Sequence, residues 1–287
     1  MVLTSNQPVE LTSSSLPDSL KVLLNKISQQ HYEELYEPEA DGTTPLQETL
    51  SEILKAFQNS EPTLCHLRYV WMALILTLLV EPTLEYYQPS NSLPKNTVKC
   101  LVLGMVKNID KIMNYENPNA RYSSKKDELL NEISESSDFY ARKELVSFQV
   151  LNEAIDVFHN ALRVLDYDQS VEALLEILDD CLEGYAVFPG SKGRRELFDW
   201  WVLEVVPASW YLLPPKSFYV VEGLQNKEEV KLRQTSLLQQ ISSVMWLLLR
   251  ESSSSKIEAK SQRQYTLSGI SYTNKVKIEN ERVFCTA

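Results

Sequence analysis

The run Tyr69–Val80, YVWMALILTLLV, decides the fold. A helix that crosses a bilayer needs about 20 apolar residues in a row, and this run falls well short. His66 and Arg68 stand immediately before it. It is read as a helix that is apolar nearly all round, which belongs in the middle of a domain with other helices packed about it. Pro62 suits its first turn, and Pro82 is expected to end it.

Helical spacing recurs on both sides of this run. Leu16, Leu20, Leu23, Leu24 and Ile27 form one stripe. Thr44-Pro45-Leu46-Gln47 reads as a helix start with Thr44 as cap. Residues 81–94 hold three prolines (Pro82, Pro89, Pro94) and are expected to form an ordered connector before a helix from about Lys95 to Tyr115. Leu145, Phe148, Leu151, Ile155, Phe158 and Leu162 continue the helical period. Asp166–Asp168 interrupts it. The stretch 168–183 follows as an amphipathic helix with Asp168, Glu172, Glu176, Asp179, Asp180 and Glu183 outward. Asn226–Glu251 is the last strong helix.

Composition agrees. The chain has 287 residues, 44% hydrophobic and only 7 glycines, which suits helices better than a sheet-rich enzyme with many phosphate loops. The expected fold is mainly α: a multi-helix, orthogonal or bundle-like globular domain with an irregular Trp/Pro-rich segment and a short C-terminal tail for which a β-hairpin is one reading. Residues 1–15 read as loose, and 16–251 as one helical domain with a subdivision point near 116–123. Ser252–Ser255 reads as a linker to a less regular tail, 252–287.

The irregular segment is Gly184–Gly223, GYAVFPGSKGRRELFDWWVLEVVPASWYLLPPKSFYVVEG. It holds three of the five tryptophans, four of the seven glycines and four of the thirteen prolines. Pro207 is expected to end or kink a helix over Glu196–Val206, and Ser217–Val221 to form a short strand. The chain also changes sign here. Residues 1–190 carry 14 Lys+Arg against 29 Asp+Glu, a net of −15, whereas 191–287 carry 14 against 10, a net of +4. An acidic body opposes a general nucleic-acid role.

Candidate contact residues follow from residue type. Lys192, Arg194 and Arg195 form a basic turn before a helix, and Trp200, Trp201 and Trp210 are large anchors. Arg and aromatic side chains dominate binding hot spots, so the leading reading is a non-enzymatic regulatory or adaptor protein that presents 191–223 to a protein partner or a second copy of itself. The second reading is a transcription-associated regulator that sets the 191–195 turn on DNA, in the outline of a helix-turn-helix. Against it, Glu196 and Asp199 would repel phosphates. The third is a helical enzyme. It would need paired Asp-rich metal motifs, for which Asp179-Asp180 is the only candidate and has no partner motif.

Other motifs are weak. Asp156 and His159 could share a helical face, but no second such motif exists to complete a metal site, so a surface ladder with Arg163 is expected. Cys65, Cys100 and Cys181 sit in apolar patterns and read as buried thiols, with Cys285 near the end. Cys65 and His66, being adjacent, cannot pair with each other on a helix. Ser253-Ser254-Ser255-Lys256 fits an S-x-x-K spacing by chance within a serine run. No cofactor, metal or membrane role is expected. Met1–Leu20 lacks a secretory leader pattern, and a cytoplasmic location is expected. The sequence predicts that Arg194→Ala with Arg195→Ala leaves the melting temperature unchanged and weakens partner binding.

Overall fold

The computed structural model describes residues 15–40, 42, 44–112, 145–187, 190–222 and 224–266. The protein is mainly α, and no strand occurs among the described residues. Two compact units are present, Met1–Trp246 and Leu247–Ala287. The expected boundary at 116–123 and the tail hairpin lie outside the described residues, as does nearly all of the loose N-terminus.

In the first unit, α1 is Asp18–Ile27, α2 Leu46–Ala56, α3 Pro62–Tyr87 and α4 Leu93–Ile112. They are followed by α5, Leu145–Arg163, and α6, Ser170–Leu182. Then come α7, Gly190–Trp200, a π-helical turn, Trp201–Val205, and α8, Val206–Tyr211. The last helix, α9, is Lys227–Thr266 and starts in the first unit.

Helix α3 occupies the centre, as its composition requires. It packs against α4, α5, α6 and α8. It is the one helix among the described residues long and apolar enough to cross a membrane, yet 89% of that window is buried inside the protein. Each fully buried large aliphatic side chain contributes about 1.5–3 kcal/mol of transfer free energy, so this helix is the main source of core stability. Glu61 caps it, its carboxylate accepting from the amides of Thr63 (3.0 Å) and Leu64 (2.8 Å).

Several boundaries differ from the sequence expectation. Helix α3 runs through Pro82 to Tyr87 instead of stopping. Proline removes one backbone hydrogen bond, at a cost of about 3 kcal/mol or more, but Val80, Thr83 and Leu84 on either side are buried, and that packing holds the helix together. Helix α2 begins at Leu46, and its first amide is met by Glu34 (3.0 Å), not by Thr44. Helix α9 continues through Ser252–Ser255 to Thr266, where a linker was expected. Residues 217–221 are extended but have no strand partner among the described residues. Cys65, Cys100 and Cys181 are buried and form no disulfide, as expected. His66 is buried beside them. Its Nε2 donates to the Val164 carbonyl (2.8 Å), which leaves Nδ1 to accept from Asn108 (3.2 Å).

The Trp-rich segment is tied to α3 by backbone carbonyls. The last carbonyls of a helix lack intrahelical donors. At the end of α8 they are met by side chains from elsewhere. Arg68 Nε donates to the Trp210 carbonyl (2.9 Å), Ser242 Oγ to that of Leu212 (2.7 Å), and Trp71 Nε1 to that of Leu213 (2.9 Å). Arg68 also lies 3.6 Å over the Trp210 ring. This guanidinium is buried, and desolvation lowers its pKa to about 10. Leu212 turns the chain with a left-handed backbone, φ 54°.

Arg68→Ala removes a carbonyl donor, a stacking partner and buried volume together. Urea unfolding should show a loss of roughly 2–4 kcal/mol with an unchanged m value.

Candidate functional site: an acidic, aromatic cleft

The residues singled out in the sequence do not form an outward surface. The basic turn 191–195 is the first part of α7, and both guanidinium groups that it carries are held by the chain itself. Arg194 is only 3% exposed. It donates to the Gly184 carbonyl (3.2 Å) just beyond α6, and its guanidinium stands 4.7 Å from the Tyr36 ring and 5.8 Å from that of Tyr185. The end of a helix favours a cation, and this is the charge that the acidic α6 draws in.

Arg195 bridges α7 to the N-terminal turn. It pairs with Asp199 (2.9 Å) and Glu37 (3.3 Å) and donates to the carbonyls of Gln30 (2.6 Å) and Ser28. Burial would raise the Glu37 carboxyl. Hydrogen bonds from the Tyr32 amide and His31, together with the Arg195 charge, outweigh it and hold the group below its ordinary value. The side chain of Lys192 lies outside the described residues.

The three indoles face inward. Trp201 is 1% exposed and packs beside Phe198, at 6.4 Å between ring centroids. Trp210 lies beneath Arg68 and meets Phe57 edge-on at 5.4 Å. Trp200 is 7% exposed and donates its Nε1 to the Ser217 carbonyl (2.8 Å). Hence Arg194, Arg195, Trp201 and Trp210 are taken up largely by the chain itself, and Trp200 lines the cleft described next. These side chains build the frame, because each is large enough to bury and each cation finds a carbonyl or carboxylate nearby.

What the frame supports is a cleft of about 340 Å³. One wall is a helical stripe at spacings of three and four: Glu196, Asp199 with Trp200, then Leu203 with Glu204 on the π-helical turn. The second wall is the extended run Ser217–Val220 with Glu222, and the third is α9 through Lys227 and Lys231. Two features fold the walls together. The π-helical turn, closed by the Val206 amide on the Trp201 carbonyl, precedes Pro207, which cannot donate to the carbonyl four residues back. Glu204 then holds the returning chain, accepting from the Ser217 amide (2.8 Å) and hydroxyl (3.3 Å).

The electrostatics within the cleft divide by partner. Asp199 is committed to Arg195, and Glu204 to Ser217. Among the described residues, the side chains of Glu196 and Glu222 have neither a hydrogen bond nor an ion pair, and the same is true of the side chains of Lys227 and Lys231. Tyr219 lines the same cleft, its hydroxyl donating to the Gly193 carbonyl (3.4 Å). Its hydroxyl is pushed up to about 12, by burial first and then by the charges of Glu196 and Glu222. The Tyr219 and Trp200 rings are 6.0 Å apart, with Phe218 behind Trp200 at 5.7 Å. Leu203 is half-exposed at the rim. Of these, Glu196, Leu203, Tyr219, Glu222 and the two lysines were not singled out as contacts in the sequence. The stripe at 196, 199/200 and 203/204 was the available signal, but its facing wall depends on the fold-back at Leu212–Pro215.

A second, smaller cleft of about 220 Å³ is lined by Glu34, Gln47, Glu176, Asp179 and Glu183. Carboxyl groups crowd this side of α5 and α6. Burial, then Asp156, Glu153, Asp179 and Glu176, push Asp180 up to about 8. Burial, then Asp179 and Glu34, push Glu183 up to about 7, against the lowering pull of Arg194. Asp156 and His159 are exposed on α5, as a surface ladder requires.

Comparison of the chain with protein-family models, curated proteins and solved structures returns no match.

Two outcomes follow from the frame. Arg195→Ala, expected from sequence to be silent in stability, should lower it by roughly 1–3 kcal/mol, since it strips partners from Glu37 and Asp199 at once; thermal melts would register the change. Raised carboxyl pKa values act in the opposite sense to the usual acid case. The folded state holds these protons more tightly than the unfolded chain. Their contribution is therefore complete below about pH 4 and is lost as pH rises through about 7–8. Asp180→Asn with Glu183→Gln should flatten that decline, raising the melting temperature at pH 8 more than at pH 5.

Proposed function

We propose that this chain is a non-enzymatic interaction protein that holds a segment of a protein partner in the cleft between α7, the π-helical turn and residues 217–222. The observation that carries this reading is the pairing of a half-exposed apolar rim, Leu203, with an aromatic wall and two carboxylates that have no partner of their own. Buried clusters ringed by polar groups are where binding energy concentrates. The frame beneath the cleft is fixed by Arg195, Glu204 and the carbonyl contacts to α3, so little ordering is needed on binding.

A nucleic-acid reading finds less support. Arg194 is buried and Arg195 is committed to carboxylates, so neither is available to phosphates, and the cleft beside them carries four carboxylates against two lysines.

Leu203→Arg places a bulky charge at the rim without touching the core. Crosslinking in the native cell followed by purification should recover a partner with the wild-type chain, and recover at least tenfold less with this variant at equal melting temperature. Equal recovery from both would remove the cleft from the interface.

A further inference from the structure

The cleft has a chemical preference that its unpartnered groups define, and the inference drawn from it rests on the interaction reading above. Two carboxylates, Glu196 and Glu222, line the cleft together with Tyr219, with Trp200 beside that ring, and neither carboxylate is neutralised by a neighbouring cation. Aromatic faces and carboxylates share one preferred guest, an organic cation. The ring quadrupole attracts it over a short range, and the carboxylates accept its hydrogen bonds. A metal ion is a poor match, since no group of three ligand-type side chains with metal-holding geometry occurs among the described residues.

The α9 wall has the opposite character. Lys227 and Lys231 stand four apart on one helical face and are unpaired as well. An occupant with a lone positive charge would leave them unmet. One with a cation and a nearby carboxylate would satisfy both walls. The cleft is a groove open to solvent and not an enclosed chamber, which suits a length of chain more than a free metabolite. Leu203 at the rim gives that chain an apolar contact.

We propose that the occupant is an extended, mixed-charge peptide segment of a protein partner. It inserts a lysine or arginine side chain over Tyr219 between Glu196 and Glu222, and places a carboxylate of the same segment against Lys227 and Lys231. The charge pattern fixes which way round the segment lies, since the opposite placement would set like charges against each other.

The probe is a pair of fluorescein-labelled nonapeptides of glycine and leucine. One carries an arginine and a glutamate three residues apart, and the other has glutamine at both positions. Anisotropy with the full chain should show saturable binding of the charged peptide at least tenfold tighter than the glutamine peptide. Glu196→Lys with Glu222→Lys should abolish that preference, and Lys227→Glu with Lys231→Glu should weaken it. Four results would overturn the inference: no saturation up to millimolar peptide, equal affinity for charged and glutamine peptides, indifference to the carboxylate reversal, or competition by free arginine at the same concentration as the peptide. Partner recovery that is lost in Leu203→Arg but unchanged in Glu196→Lys/Glu222→Lys would keep the cleft as an interface and sink only the mixed-charge occupant.

Discussion

Arg68 is the one buried arginine of the core helix, and the position of the Trp-rich segment depends on it. A guanidinium without a carboxylate partner is costly to bury. It is tolerated because its planar face stacks on Trp210 while its Nε closes an otherwise orphaned carbonyl. One turn on, Trp71 closes a second carbonyl of the same turn, and Ser242 from α9 a third. Together they fix where α8 ends and where the chain folds back. The wall formed by residues 217–222 can lie against α7 only after that fold-back.

Charge is arranged in nested layers about this frame. The acidic body draws the first cations of the basic C-terminal third inward, Arg194 to the end of α6 and Arg195 to Glu37 and Asp199. Once those are neutralised, the side of the segment that lines the cleft carries four carboxylates, Glu196, Asp199, Glu204 and Glu222. Crowding of like charges elsewhere, along α5 and α6, is tolerated by raised carboxyl pKa values instead of by pairing.

The π-helical turn links local chemistry to the cleft. Pro207 denies a hydrogen bond within a helix whose Trp201, Val202, Val205 and Val206 are all buried. Packing keeps the helix from breaking, and one widened turn absorbs the mismatch. That turn carries Leu203 and Glu204, one left at the rim and the other holding Ser217. A Pro-driven defect and the cleft coincide for a geometric reason, since the extra residue per turn changes which side chains face out.

Sequence alone determined the α class, the central place of the Tyr69–Val80 run, the buried cysteines and the amphipathic α6. Each follows from periodicity and from the fact that an all-round apolar helix has to be covered. It also marked Gly184–Gly223 as exceptional. Only the tertiary structure decided what that segment does with its side chains. Whether Arg195 faces solvent depends on Glu37, 158 residues away, and whether Trp210 is covered depends on Arg68, 142 residues away. The course of α3 through Pro82 was likewise set by packing, and α9 runs on through four serines, a continuity that local propensity does not contain. Residue type reveals which groups can bind; long-range contacts settle which of them are left free to do so.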